Sequence, residues 1–310
     1  MDLIEALKAF FIGLVEGLTE WLPVSSTGHM ILVDEFVQLD VSPEFLELFL
    51  VVIQIGAIMA VIILYFSKLN PFSTKKSKEQ KRGTWRLWGL VVVGCIPAAV
   101  VGLLFDDWVN EHFYNAYVVS AMLILYGVVF IVLEHRNRKR FSIYVNKAKM
   151  NGEEVPLLEN GAPDPDSMFK IKTVDDIDWK AALKIGLFQC LAIIPGTSRS
   201  GATIIGGMLT GCSRTAAAEF TFFLAIPVMF GWGLVKTVKY AFELGSMAMT
   251  ATEAGVLVIG VVTAFVVSVL SIKFLMGYIK KNDFTPFGVY RIIVGVVVLG
   301  YFGAKALVGF

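Results

Sequence analysis

Glu16, Glu20 and His29 lie close together in an otherwise apolar segment, GLVEGLTEWLPVSSTGH at residues 13–29. The two glutamates are four residues apart, so a helix would place both on one face. Such a pair can bind a hard cation through oxygen, or one carboxylate can bind it while the other acts as a general base. His29 can be a nucleophile, or the acid and base for a serine nucleophile at Ser26. Ionisable groups are expensive inside apolar segments, which favours function over the alternative of a water-exposed helix end.

Two hydroxyl-rich turns follow prolines, one in the first segment and one in PGTSRSGAT at residues 195–203. Their hydroxyls and free backbone N–H groups suit an anion, especially a phosphate. Arg199 can hold phosphate oxygens bidentately and stabilise charge in a transition state. The candidate phosphate ligands are Ser25, Thr27, Ser198, Arg199, Ser200 and Thr203.

The two segments form a near-repeat, because residues 186–202 read GLFQCLAIIPGTSRSGA. Both begin Gly-Leu, place a polar residue (Glu16 or Gln189) three positions later, and reach a proline before the hydroxyl-rich stretch. Proline and glycine interrupt helices, so neither segment suits a plain membrane-spanning helix. Interrupted apolar segments in two halves are typical of inverted repeats, whose site lies between the broken helices. The sequence therefore predicts one site built from both halves, and their divergence favours an enzyme over a symmetric carrier.

The composition predicts an all-α integral membrane protein. The 310 residues are 56% hydrophobic and 17% charged, with a mean hydropathy of +0.71, whereas soluble domains carry about 25% charged residues. Long apolar runs predict six full transmembrane helices. The predicted spans are residues 46–66, 88–105, 117–134, 216–235, 253–275 and 286–307.

Two re-entrant helical hairpins, at residues 3–40 and 179–212, complete the predicted inverted repeat. The first repeat is then 1–136 and the second 179–310, each a hairpin followed by three spans. Between them lies a polar cytoplasmic linker at 137–178, rich in Gly, Pro, Asn and mixed charges. Its composition predicts a partly flexible connection, with a small docking element as the alternative.

Basic residues predict the orientation in the membrane. They cluster at 67–86 and 135–140, which should be cytoplasmic, whereas loop 106–116 has no Lys or Arg. Both termini should then lie outside, with the first hairpin entering from outside and the second from inside. Because the basic clusters flank spans, they do not indicate nucleic-acid binding.

Other polar residues are predicted to be structural. Glu219 and Arg214 are five positions apart, slightly off helical pairing distance. Arg291 is assigned to helix packing or the membrane interface. The Gly13–Gly17 spacing fits close helix packing.

The motifs VEGLTEWLPVSSTGH and PGTSRSGAT resemble the two signature motifs of the bacterial undecaprenyl-diphosphate phosphatases of the bacitracin-resistance type. The resemblance covers nearly the whole chain, including FTFFLAIP at 220–227 and PFGVYR at 286–291, although the linker is longer than expected. It implies hydrolysis of undecaprenyl diphosphate to the monophosphate, which recycles the lipid carrier for peptidoglycan synthesis. It also implies the bacterial cytoplasmic membrane, with the site open toward the outer face.

The resemblance further implies a divalent cation, Mg²⁺ or Ca²⁺, held by Glu16 and Glu20. On this interpretation Ser26 or His29 attacks the terminal phosphorus, and activated water is a third candidate. The polyprenyl tail would lie in an apolar groove among membrane lipids. The sequence leaves open whether the chain forms a homodimer. Roles in the site carry over to Glu16, Glu20, Ser26, Thr27, His29, Ser198, Arg199 and Ser200.

Three other functions fit these residues less well. Type-2 phosphatidic-acid phosphatases also hydrolyse lipid diphosphates, but they need a second histidine downstream of a Ser-Arg pair, and no histidine follows Arg199. A transporter that flips the polyprenyl phosphate carrier fits the inverted repeat, but pure transport needs no histidine beside paired carboxylates. A membrane scaffold would leave the polar residues unexplained.

Overall fold

The computed structural model describes residues 2–158, 160–243 and 249–308, and the regular elements of these residues are helices. The α-helices are α1 (Leu3–Thr19), α2 (Ser26–Phe36), α3 (Pro43–Leu64), α4 (Phe66–Leu69), α5 (Lys78–Phe113), α6 (Ala116–Met150), α7 (Trp179–Gln189), α8 (Arg199–Thr210), α9 (Arg214–Glu243), α10 (Ala251–Ile279) and α11 (Thr285–Val308). Short 3₁₀ turns lie at Pro165–Met168, Val174–Asp176 and Cys190–Ile193.

Among the described residues, six helices are long and apolar enough to cross a membrane, which confirms the six predicted spans. They are α3, α5, α6, α9, α10 and α11. Helices α5 and α6 extend beyond the apolar runs that predicted them. Ser77 begins α5 with a capping box that it shares with Gln80, so the basic residues that follow are already helical. Helix α6 continues to Met150, so the first part of the predicted linker belongs to this helix.

The two predicted hairpin regions each contain two helices separated by a break at the motif. Helices α1 and α2 have 17 and 11 residues, and α7 and α8 have 11 and 12. At 1.5 Å per residue none exceeds about 26 Å, which is less than the roughly 30 Å of hydrocarbon. The breaks contain Pro23 and Pro195, as the interruption of the helical pattern predicts.

The first helix of each region packs on a helix of the other half. Helix α1 packs on α10, and α7 packs on α5. Close approach requires glycine at both crossings: a Cβ on Gly13 would lie 2.6 Å from the carbonyl oxygen of Gly260, and a Cβ on Gly186 would overlap the carbonyl of Gly94. The close packing expected at Gly13 is therefore confirmed. Helix α6 pairs with α11, and α3 packs between α9 and α10.

The larger apolar core surrounds both breaks. Trp21 and Val24 from the first motif are buried in it beside aromatic residues of α9 such as Phe222, as are Ile204 and Ile205, which directly follow the second motif. Burial of apolar surface on each side of a break fixes where the intervening backbone lies. The core thus positions the polar residues of both motifs.

Residues 164–178 pack against the helix ends, which differs from the flexible connection expected from composition. Ile171 exchanges backbone hydrogen bonds with both sides of the α8–α9 turn, from its N–H to Gly211 at 3.2 Å and from Ser213 to its carbonyl at 2.7 Å. Val174 and Ile177 are fully buried. These apolar side chains dock the segment, although its overall composition is polar.

Candidate active site

Helices α2 and α8 begin in the same unusual way. Their N-cap residues, Ser25 and Ser198, have φ of 74° and 73°, and they are the non-glycine residues with positive φ in the described part of the chain. The Ser25 hydroxyl accepts from the Gly28 N–H at 3.4 Å, and the Ser198 hydroxyl accepts from the Gly201 N–H at 3.2 Å. Such a backbone conformation costs about 1–3 kcal/mol per residue and occurs mainly at functional sites.

Glu20 joins the two helix N-termini. Ser26, the first residue of α2, donates from Oγ to Glu20 Oε2 at 2.9 Å. Arg199, the first residue of α8, donates from Nη2 to Glu20 Oε1 at 2.8 Å. One carboxylate therefore contacts a candidate nucleophile from the first half and a candidate phosphate ligand from the second. The unpaired N–H groups and positive ends of two helices also converge here, an arrangement that favours an anion.

A hydrogen-bond network fixes the second motif around Arg199. The Arg199 Nη1 group donates to the Thr221 carbonyl at 3.1 Å. Thr203 donates from Oγ1 to the Arg199 carbonyl at 2.9 Å and accepts from the Thr221 hydroxyl at 2.9 Å. The Ser200 hydroxyl donates to the backbone carbonyl of Glu20 at 3.1 Å and lies 3.1 Å from the Ser198 hydroxyl. The Thr203 hydroxyl is therefore bonded to protein groups that include the Arg199 carbonyl and the Thr221 hydroxyl, and it holds the backbone of Arg199 in place.

His29 lies one turn along α2 from Ser26 and has its own partners. Its Nδ1 is 2.7 Å from the Ser25 carbonyl oxygen, and its Nε2 is 2.8 Å from the hydroxyl of Tyr290 on α11. The two rings stack with centroids 5.6 Å apart and an 8° interplanar angle. The Ser26 hydroxyl bonds to Glu20 instead, so Ser26 and His29 do not form a hydrogen-bonded pair in this conformation.

Glu16 is 2% exposed, and its Oε1 has no hydrogen-bond partner in the described part of the chain. An orphaned buried carboxylate oxygen fits a cation ligand, because an unpaired buried charge is costly. The described residues contain no cluster of three or more His, Cys, Asp or Glu suited to a metal. A cation at Glu16 and Glu20 would therefore take its other oxygen ligands from substrate and water, as Mg²⁺ commonly does.

Further polar side chains of the two segments lack hydrogen-bond partners among the described residues, Gln189 among them. The Gln189 amide, which stands at the position of Glu16 in the second half, is 3% exposed and unpaired at both its oxygen and its nitrogen within the described residues. Thr27 is half-buried, and its hydroxyl has no hydrogen bond to any described group. These polar groups are available to substrate or water.

Arg291 on α11 joins the two breaks, and its full burial excludes the membrane interface that was one of its two predicted places, the other being helix packing. It is fully buried, and it donates to the carbonyls of Pro23 at 3.2 Å, Gly196 at 2.8 Å and Thr197 at 2.9 Å. One guanidinium thus binds both breaks. The available signal was an arginine within an apolar helix, which is a functional candidate by default.

The charged residues predicted to be structural lie apart from this cluster. Arg214 forms a buried ion pair with Glu134 at 2.6 Å, and Glu219 pairs with Lys68 at 3.1 Å. Arg214 and Glu219 therefore each pair with another helix or loop and not with one another. The first pair joins the start of α9 to the middle of α6, and the second joins α9 to the short helix α4.

Comparison with known proteins identifies clear relatives. The family model described as bacitracin resistance protein BacA matches residues 9–297. The undecaprenyl-diphosphatase of Enterococcus faecalis is 52% identical over 294 residues, covering 95% of this chain and 96% of its own length. That of Desulfitobacterium hafniense is 51% identical over 310 residues and the full length of both chains. That of Acetivibrio thermocellus is 50% identical over 300 residues, covering 97% and 98% of the two chains.

Proposed function

The chain belongs to the family of bacitracin resistance protein BacA, and we propose that it hydrolyses undecaprenyl diphosphate to undecaprenyl phosphate and inorganic phosphate. The reaction recycles the lipid carrier for peptidoglycan synthesis, and removal of the diphosphate fits the bacitracin resistance in the family name. The six apolar helices make the chain a multi-pass membrane protein. The observation that carries the proposal is the Glu20 carboxylate bridging Ser26 and Arg199.

That bridge supports Ser26 as the nucleophile. As its Oγ attacks the terminal phosphorus, the proton of the hydroxyl passes to Glu20 Oε2, 2.9 Å away. The new Oγ–P bond replaces the bond from phosphorus to the bridging oxygen, and undecaprenyl phosphate leaves. Water then attacks the phosphoserine, the Oγ–P bond breaks, Glu20 returns its proton to Ser26 Oγ and phosphate is released. His29, three residues along α2, is placed to take the proton of this water.

Arg199 and the two helix N-termini supply the electrostatic stabilisation. The charge that develops on the transferred phosphoryl group is shared among its peripheral oxygens, so fixed donors contribute more than covalent chemistry. Arg199 is held by Thr221, and the breaks that carry Ser25 and Ser198 are held by Arg291. Donors fixed before the reaction need no reorganisation during it.

Glu16 and Glu20 are the residues that would hold a divalent cation, Mg²⁺ or Ca²⁺. Such a cation would neutralise phosphate charge and polarise the transferred group. The buried, unpaired Glu16 oxygen supports this assignment. Release of phosphate should then be lost with chelator and restored by added Mg²⁺ or Ca²⁺.

Several contacts support two re-entrant hairpins in an inverted repeat. Glu5 near the start of α1 accepts from the Asp40 N–H, beyond the end of α2, at 3.0 Å. Likewise Ile171, upstream of α7, bonds to Gly211 beyond the end of α8. Each helix pair therefore begins and ends at one side of the molecule. The first helix of each half packs on a helix of the other half, α1 on α10 and α7 on α5, and this reciprocal packing fits two halves of similar fold.

The orientation predicted from the basic loops places the first hairpin toward the outer face of the cytoplasmic membrane. Contacts among the basic segments support it, because Lys68 pairs with Glu219 and Arg86 donates to the Asp175 carbonyl at 2.8 Å. These residues lie at one end of the molecule with the linker. Cysteines introduced at Ser77 and Asn110 in a chain without its native cysteines test this: an impermeant maleimide added to intact cells should label only Asn110→Cys.

Phosphate release by the purified protein tests the function. Wild type should release phosphate from undecaprenyl diphosphate, and Glu20→Ala and Arg199→Ala should abolish this release. Arg138→Ala is the matched control, because Arg138 is a largely exposed arginine at the cytoplasmic end, and it should retain wild-type activity. Absence of release from well-folded wild type would overturn the enzyme proposal.

If the wild-type protein is folded but releases no phosphate, the second candidate function, transport of the polyprenyl phosphate carrier, becomes the favoured one. Packing of each half on the other around a central site is also transporter architecture. Movement of labelled undecaprenyl phosphate across proteoliposomes would then identify a flippase of the carrier.

A further inference from the structure

The proton position on His29 follows from its contact with Ser25. The Nδ1 atom lies 2.7 Å from the Ser25 backbone carbonyl, and a carbonyl oxygen can only accept a hydrogen bond. Nδ1 must therefore carry a proton. In the neutral ring, Nε2 then holds the lone pair and is the nitrogen available for chemistry.

Within the described part of the chain, that reactive nitrogen has one hydrogen-bond partner, the phenol of Tyr290 at 2.8 Å. A hydroxyl is suited to this place because it both donates and accepts. It can donate to the lone pair of neutral His29, and it can accept from Nε2–H once the ring has gained a proton. During the reaction the Tyr290 O–H gives up the Nε2 lone pair to the water that transfers its proton, and the Tyr290 oxygen then accepts from Nε2–H. Tyr290 can therefore bond to both protonation states without changing its own charge.

The fold also fixes the relative orientation of the two rings. They stack nearly parallel at 5.6 Å, while the next residue, Arg291, is fully buried and bonded to three backbone carbonyls of the two breaks. The buried arginine fixes the height and rotation of α11, and thus where Tyr290 lies. Tyr290 itself is 44% exposed, so packing alone does not hold its hydroxyl on His29.

We propose that Tyr290 is a positioning residue of the phosphatase site, whose hydroxyl orients His29 and bonds Nε2 before and after proton transfer. This inference rests on the proposed function and extends it to a residue on the last helix. Tyr290 forms no bond to phosphorus. It acts through His29 in the step where water releases the phosphoryl group from Ser26.

Tyr290→Phe tests the role, because it removes the hydroxyl and keeps the ring. The matched control is Tyr301→Phe, on the same helix, whose hydroxyl donates to Glu35 of α2 at 3.2 Å. Loss of one positioning hydrogen bond should lower kcat about tenfold in Tyr290→Phe. KM should stay within about twofold of wild type, and Tyr301→Phe should retain wild-type kcat.

A spectroscopic measurement separates this role from a simple loss of packing. With His112→Gln and His135→Gln, the chain keeps His29 as its single histidine, and ¹⁵N-histidine labelling reports both ring nitrogens. In the parent, Nδ1 should be protonated and Nε2 should show a hydrogen-bonded lone pair. Tyr290→Phe should shift the Nε2 resonance downfield, and Tyr301→Phe should leave it in place.

The outcomes distinguish failure of this inference from failure of the proposed function. An active wild type with an unshifted Nε2 resonance in Tyr290→Phe would overturn the hydrogen bond. A shifted resonance with unchanged kcat would overturn the positioning role. An inactive, folded wild type would instead remove the proposed function.

Discussion

Arg199 donates a 2.8 Å hydrogen bond from its guanidinium to the Glu20 carboxylate, and this ion pair connects the two halves of the chain. Both side chains are largely buried, at 12% and 9% exposed. Each residue adjoins a helix break that holds a strained serine, Ser25 or Ser198. The pair thus brings together two motifs that lie far apart in the sequence.

Arg291→Lys should impair both stability and activity. A lysine can replace the charge but not the three carbonyl contacts of the guanidinium, so we expect a loss of about 3 kcal/mol in the free energy of unfolding. Phosphate release should fall at least about tenfold, since both breaks lose their shared donor. Denaturation in detergent and phosphate assays measure the two effects. Unchanged activity in this variant, with Arg138→Lys as the surface control, would contradict the role of Arg291.

Gly186→Ala should destabilise the protein because α7 and α5 touch at this position. The added Cβ would overlap the Gly94 carbonyl, which is backbone and cannot rotate away. Forced separation of packed helices should cost about 1–3 kcal/mol. Gly89→Ala on α5 is the control, since a Cβ there has nothing within 4 Å. In thermal unfolding, Gly186→Ala should have a lower midpoint temperature than Gly89→Ala. Equal midpoint temperatures would contradict a close crossing of α7 and α5.

Ser25→Gly should be at least as stable as wild type, whereas Ser25→Ala should lose stability. Glycine relieves about 1–3 kcal/mol of strain at φ 74°, and it costs only a few tenths of a kcal/mol as an N-cap. Alanine keeps the strain and loses about 1 kcal/mol of capping. Ser42 caps α3 with φ −64°, so glycine there should destabilise. If the glycine substitution lowers the free energy of unfolding at both Ser25 and Ser42, this would argue against backbone strain at the break.

Asp283 gives a pH-dependent test in the loop before α11. Burial raises the pKa of its carboxyl, but hydrogen bonds from Thr285 and Arg138 outweigh burial and hold the pKa below its usual value. The stabilisation is therefore present above the ordinary aspartate pKa and is lost as pH falls through the folded-state pKa. Asp283→Asn should cost about 0.5–1 kcal/mol at pH 7 and converge with wild type in acid. A pH-independent difference would contradict this.

Much of the fold follows from the apolar pattern, because each of the six spans is a long hydrophobic run. The helix ends do not follow from it: Ser77 begins α5 among basic residues, and α6 continues through charged residues to Met150. The packed segment around Ile177 was missed because a few buried apolar side chains decide docking, whereas composition averages over all of them.

The residues of the candidate site that lie within the two sequence motifs could be predicted from the sequence. Glu20, Ser26 and Arg199 belong to two recognisable segments, so the sequence could name them as candidates, and the structure brings the three side chains into contact. Their pairing could not, since the choice between Glu20 and His29 as the partner of Ser26 depends on tertiary geometry. Arg291 was missed because it acts alone from a distant helix and its partners are backbone carbonyls, which leave no trace in side-chain motifs.

A double-mutant cycle on Glu20 and Arg199 tests most directly whether the two halves build one catalytic site. The readout is kcat/KM for phosphate release from undecaprenyl diphosphate by wild type, Glu20→Gln, Arg199→Lys and the double variant. Residues that act as a unit are strongly non-additive, so the double variant should lose about as much as the worse single variant. Losses that multiply, as for independent sites, would contradict a shared site.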